Sequence, residues 1–238
     1  MIKAITFDLW NTIFSNIDYA DIRLQFLIDL LNERKISYFY DELKQNYYKY
    51  FELSNRVFKT STYHHIFLED RISKLTDSLK IKLSKKDKKL IQERFELAIF
   101  EKPPPIIGGV REILDIFAPN YKIGLISDTG ITPGYVLRKV MGDYDILDYF
   151  DVTIFSDEVG FYKPHPLIFK KALKKLKTSP EDAIHIGDLL ETDIQGAKNY
   201  KMLAIWINDS FESRLSNVNP DYEISQLFEA VEIIRDLG

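Results

Sequence analysis

Five short apolar runs, each ending in or beside a polar residue, constrain this chain most: residues 3–8 (KAITFD), 121–128 (YKIGLISD), 150–156 (FDVTIFS), 183–188 (AIHIGD) and 203–208 (LAIWIN). Apolar strands without alternation belong in a parallel sheet covered on both faces, where neither side of the pleat meets water. From about residue 104 the runs alternate with segments of helical period, GVREILDIFA, PHPLIFKKALKKL and DIQGAKNY, and the chain closes on ISQLFEAVEIIRDL. This alternation predicts an α/β fold, a parallel sheet with helices on both faces.

Residues 17–101 break the rhythm. Their apolar positions recur at helical spacing (Leu43, Tyr47, Tyr50, Phe51, Val57, then Leu68, Ile72, Leu75, Leu79), which predicts a bundle of about four helices. Asp18 with Asp21, and Ser84 with Asp87, read as helix starts. The prolines of EKPPP at 101–105 stop the last helix. The expected division is a core of residues 1–16 and 102–238 with a helical domain of residues 17–101 inserted after the first strand. Tyr47, Tyr50, Phe51 and Phe58 read as core of that bundle.

Composition removes whole classes of function. With 32 Lys and Arg against 36 Asp and Glu, the net charge is −4, so no basic field draws the chain to nucleic acid or an anionic membrane. The absence of cysteine excludes disulfides, thiolate nucleophiles and cysteine zinc sites. No leader-like segment opens the sequence, and no apolar run reaches the ~20 residues of a membrane span. The expectation is a soluble, cytoplasmic protein whose partner is a small molecule.

Parallel sheets bind ligands beyond the carboxyl ends of their strands. Asp8, Ser127 with Asp128, Lys163, and Asp188 with Asp193 are all delivered to that edge by strand ends or the loops after them. The segments carrying them, FDLWNT, LISDT, GFYKPHPLIF and IGDLLETDIQGA, occur in the order of the four motifs of the haloacid dehalogenase superfamily, which this chain resembles across its core. The resemblance implies a Rossmann-like core with a helical cap of the first type. It also implies Asp8 as nucleophile and Lys163 as the lysine that holds the nucleophile and the transferring group. Ser127 and Asp128 fall at the phosphate-binding motif, where Asp128 stands in place of the commoner asparagine. Asp8, Asp188 and the Trp10 backbone carbonyl are the implied Mg2+ ligands, with Asp193 ordering the metal's surroundings. Magnesium suits such a site because it takes oxygen ligands and keeps several waters.

Trp10 is the departure. Phosphatases of this family carry a second aspartate there, which protonates the leaving oxygen, and a positioned acid contributes ~10² to 10⁴-fold in rate. One reading is therefore a phosphatase that favours good leaving groups. A second is a 2-haloacid dehalogenase, since halide departs without a proton and those enzymes carry an aromatic residue at this position. A third, of another class, is a binding or regulatory protein on the same fold. Arg23 and Arg56 are candidates for a substrate carboxylate. The lysine-rich stretch at 80–89 reads as a solvated helix end, His64 and His65 as a poor metal pair, and His165 as a helix start.

Overall fold

A computed structural model describes residues 1–52, 62–209 and 217–237. Its described residues hold one parallel sheet of six strands, β1 (Ala4–Phe7), β2 (Lys122–Ser127), β3 (Val152–Phe155), β4 (Ala183–Gly187), β5 (Leu203–Ile207) and β6 (Tyr222–Ile224), in spatial order β3-β2-β1-β4-β5-β6. The first five are the predicted runs. The closing helix, expected from Ile224, overlaps the end of β6, a strand not predicted from the sequence. β6 is only three residues long, held to β5 beside it, and the last helix begins six residues after it, at Ala230.

Among the described residues, the segment 17–101 holds four α-helices: α1 (Ala20–Glu33), α2 (Tyr40–Tyr47), α3 (Leu68–Ser78) and α4 (Lys85–Leu97). Ser84 and Asp87 form the predicted capping box at α4. Asp18 sits one residue outside the cap of α1, where its carboxylate accepts the Ala20 N–H at 2.7 Å. The core helices are α5 (Val110–Phe117), α6 (Gly134–Asp143), α7 (Ser156–Val159), α8 (Pro166–Leu176), α9 (Gln195–Asn199) and α10 (Ala230–Asp236). His165 caps α8, its Nδ1 accepting the Leu167 N–H. His64 and His65 lie outside any helix, in a strap where His64 bridges Phe161. Arg56, Val57 and Phe58 lie outside the described residues.

Strand alternation sorts the core into two layers. Ile5, Phe7, Ile123, Leu125, Ile184, Ile186 and Ile205 pack on α5, α6 and α10. Ala4, Ile126, Ile154, Ala183 and Ala204 pack on α8 and the segment around Ile194 and Ala197. α1 to α4 build a third cluster, in which Phe95 contacts the rings of Phe26, Tyr47 and Phe51. Ile131, from the loop after β2, joins that cluster.

Phe95 is fully buried, so Phe95→Ala should cost about 3–5 kcal/mol in urea denaturation of the helical segment. A loss under about 1 kcal/mol would mean that the cluster collapses freely onto the gap.

Candidate active site

β1 sits at the centre of the sheet with β2 on one side and β4 on the other, so the chain leaves its end in opposite directions and opens a crevice there. Asp8 is the first residue past β1, and its N–H donates to the Ile186 carbonyl of β4 at 2.9 Å. The turn that follows is closed by Asn11 N–H to Phe14 O at 2.7 Å and Phe14 N–H to Leu9 O at 2.9 Å. Neither bond uses the Trp10 carbonyl. Asn11 takes φ 53°, a left-handed conformation that asparagine tolerates better than most residues, and its side-chain amide donates to Asp188 Oδ2 at 3.1 Å.

Lys163 reaches the same point from the loop after α7. Its Nζ donates to Asp8 Oδ1 at 2.5 Å, Asp193 Oδ1 at 2.6 Å and the Ile126 carbonyl at 3.0 Å. An ammonium has three protons to give, and these three acceptors take them all. Its backbone N–H donates to Asp128 Oδ1 at 2.9 Å, so one residue touches three carboxyls, two through its ammonium and one through its main chain.

Asp188 follows β4, and Asp193 returns to it from the π-helical turn Leu190–Ile194. A Cβ at Gly187 would lie 2.5 Å from the Asp193 Cγ, so this strand end requires glycine for Asp193 to approach. Asp193 Oδ2 accepts the Leu189 N–H at 3.1 Å and Oδ1 lies 3.2 Å from His185 Nε2. His185 is fully buried, and its Nδ1 is 2.9 Å from the Thr6 hydroxyl. Burial pushes its pKa down. The neutral ring giving its Nε2–H to Asp193 accepts at Nδ1 from Thr6.

These groups face a cavity of about 880 Å³, lined by Asp8, Trp10, Asp128, Lys163, Asp188 and Asp193 from the core and by Arg23 and Tyr48 from the helical segment. Of the predicted site residues that the structure describes, Ser127 alone does not line it. Ser127 is fully buried, with its hydroxyl turned to the Asp128 carbonyl at 3.3 Å, whereas Thr129 does line the cavity. Arg23 lies at the cavity wall, held by the Phe95 carbonyl at 3.0 Å and the Thr132 hydroxyl at 3.1 Å. Sequence reasoning missed Asn11, His185, Tyr48 and Thr129. A buried histidine in an apolar strand was the one signal that pointed to any of them.

Carboxylates outnumber cations here, and the imbalance shows in their protonation. Burial pushes Asp8 up to about 6 against the pull of Lys163. Asp188 rises to about 8 through burial and the neighbouring charges of Asp8 and Asp193. Burial pushes Asp128 up to about 7. Burial acts on Asp193 too, but the Lys163 charge and the His185 hydrogen bond outweigh it and hold that carboxyl below its usual range. Oxygens of Asp8, Asp188 and Asp193 come within 4.8 Å of one another. Asp193 already has Lys163, His185 and the Leu189 N–H, whereas Asp8 and Asp188 are under-neutralised, which is the donor set a hard divalent cation fits.

The model for haloacid dehalogenase-like hydrolases matches residues 2–200. A glyceraldehyde 3-phosphate phosphatase of Methanocaldococcus jannaschii is 26% identical over 100% of this chain and 99% of its own. Another so named, from Pyrococcus furiosus, is 35% identical over 53% of each chain, so this match spans about half of that relative. The crystal structure of a 2-haloacid dehalogenase from Pseudomonas syringae superimposes with a TM-score of 0.74 at 25% identity over the whole of both chains. No helix among the described residues is long and apolar enough to cross a membrane.

The folded pKa of Asp188, about 8, lies above its ordinary 3.8, so its ionised form opposes folding. That opposition is absent below about pH 4 and grows as the pH rises to 8. Without divalent cations, Asp188→Asn should therefore melt at least about 2 °C above the parent at pH 8.5, with the gap closing by pH 4. Thermal melts in chelator at the two pH values check it, and a gap that does not change with pH rejects it.

Proposed function

This chain belongs to the haloacid dehalogenase-like hydrolases, and from that membership we propose that it is a magnesium-dependent phosphatase of small phosphorylated metabolites with Asp8 as its nucleophile. The observation that carries this reading is the buried contact of Lys163 with Asp8 beside an under-neutralised Asp188. Lys163 fixes the Asp8 rotamer and offsets the charge of an approaching phosphoryl group. The Asp8 carboxylate attacks phosphorus, the bond to the leaving oxygen breaks, and an aspartyl-phosphate forms on Asp8; water then releases phosphate and restores the carboxylate. Asp8, Asp188 and the Trp10 carbonyl would hold Mg2+, with Asp193 orienting Lys163 and the loop behind them. When bound, the cation offsets the negative charge gathered by carboxylates and phosphoryl oxygens.

The two relatives compared, both named as phosphatases of a small phosphorylated metabolite, support that substrate class. Residues 17–101 act as the cap over a core of residues 1–16 and 102–238, a division supported by the separate apolar cluster of α1 to α4. Arg23 and Tyr48 bring cap side chains to the cavity wall, where closure would exclude water. Ser127 sits behind that wall, and its part in holding phosphate runs through the loop backbone that it supports.

Trp10 at the cavity wall and the likeness to a 2-haloacid dehalogenase favour a second reading, halide displacement by the same Asp8. The acidic cluster argues for phosphate, because a metal-free displacement gains nothing from crowding Asp188 against Asp8.

Phosphate release from para-nitrophenyl phosphate and acetyl phosphate should require Mg2+ and fall by about 10³-fold or more in Asp8→Asn. Halide release from a 2-haloacid, undiminished by chelator, would move the assignment to dehalogenase.

A further inference from the structure

Trp10 lines the cavity on the loop that carries the nucleophile, and its indole can neither give nor take a proton at working pH. The proton that an alkoxide leaving group needs must come from another group that meets the same space. Tyr19 lines the cavity, but its hydroxyl donates to the Lys102 carbonyl at 3.0 Å and burial pushes it up to about 12. Asp18 is exposed to solvent, and its one bond, from the Ala20 N–H, ties it to the start of α1 and not to the groups around Asp8. Asp128 differs from both. It lines the cavity, one carboxyl oxygen is fixed by the Lys163 N–H at 2.9 Å, and no other hydrogen bond to its carboxyl is made by the described residues.

We propose that Asp128 is the general acid and base of this enzyme, supplying from the loop after β2 the proton chemistry that Trp10 removes from the loop after β1. The inference rests on the phosphatase reading above. In the first step Asp8 bonds to phosphorus while the phosphorus–oxygen bond to the leaving group breaks, and that oxygen takes the Asp128 proton to depart as an alcohol. In the second, a water gives its proton to the Asp128 carboxylate and its oxygen to phosphorus. The bond to Asp8 breaks, phosphate leaves, and both aspartates return to their starting forms.

Three further observations support the assignment. Burial pushes the Asp128 carboxyl up to about 7, where a group exchanges protons most usefully near neutral pH. The charged and titratable groups that act on it are the Lys163 ammonium, the Asp8 and Asp193 carboxylates and the Tyr162 phenol, so a single cation faces several acids. A carboxyl that keeps its proton also adds no negative charge beside a phosphate, which accounts for an aspartate where the family resemblance leads one to expect asparagine.

Asp128→Asn, which keeps an oxygen for the Lys163 N–H, tests this with Mg2+ present. The kcat/KM for glycerol 2-phosphate should fall by about 10²-fold or more, and the loss for para-nitrophenyl phosphate, whose leaving group needs no proton, should be at least about tenfold smaller. In the parent, kcat/KM for glycerol 2-phosphate relative to the aryl ester should decline above neutral pH, and this decline should vanish in the variant. Adding Trp10→Asp to Asp128→Asn should recover part of the lost alkyl activity. Equal losses on both substrates, no loss, or a selective loss in Tyr48→Phe instead would overturn the assignment. If Asp128→Asn fails to fold by circular dichroism, a flat parental ratio across pH overturns it by itself. A parent that releases phosphate from neither ester nor from acetyl phosphate brings down the phosphatase reading, and Asp128 with it.

Discussion

The Lys163 ammonium, enclosed by protein and donating to Asp8, Asp193 and the Ile126 carbonyl, is the interaction on which the rest of the site depends. Removing an ion from water costs several kcal/mol, and the attraction to its partners offsets this only when every proton finds an acceptor. Those acceptors come from the end of β1, the π-helical turn and β2, so the lysine joins elements far apart in the chain. Its backbone N–H adds the loop after β2 through Asp128. The adjacency of β1 with both β2 and β4 makes this convergence possible. A buried ammonium that loses one carboxylate is destabilising by roughly 3–5 kcal/mol, so the same bonds that fix the Asp8 side chain also hold the sheet edge together.

One ammonium cannot neutralise four nearby carboxyls, and the site resolves the excess in three different ways. Asp193 is answered by Lys163, by the neutral His185 ring and by a backbone N–H, and it stays ionised. Asp8 and Asp188 have too little compensation, and burial raises both, which leaves them poised for a divalent cation. Asp128 meets a backbone donor and the Lys163 field, yet burial still pushes it up to about 7. The protonation of each carboxyl thus follows from its burial and the donors it meets and not from residue type, since all four are aspartates.

What the sequence made legible was set by how far its physical signals reach. Buried parallel strands leave apolar runs that need no partner to be recognised, so β1 to β5 and the polar residues past their ends could be placed. β6 is three residues long, with Tyr222 half-buried, Glu223 exposed and Ile224 buried, which resembles a helix entrance as much as a strand. Lys163 stood out through its aromatic and proline flanks. Asn11 and His185 did not, because their partners, Asp188 and Asp193, lie 177 and 8 residues away and only the sheet brings them near. Ser127 was placed at the correct strand end, but the pleat turns its hydroxyl behind the cavity wall and leaves Thr129 to face the ligand space. The direction of a side chain at a strand end depends on the last residue of the register, which periodicity alone does not locate.

Trp10 shows how one position can redistribute chemistry without changing the fold. The turn that carries it is closed by Asn11, Phe14 and Leu9 backbone groups, so its backbone conformation does not depend on the side chain. On the reading proposed above, a substitution there alters proton transfer and leaves the backbone carbonyl available to the cation. Trp10 lines the same cavity as Asp8 and Asp128. Asp128, at the next strand end, is tied on one oxygen to the lysine that also binds Asp8. On the mechanism proposed above, the acid absent from the loop after β1 and the carboxyl present on the loop after β2 are two halves of one arrangement.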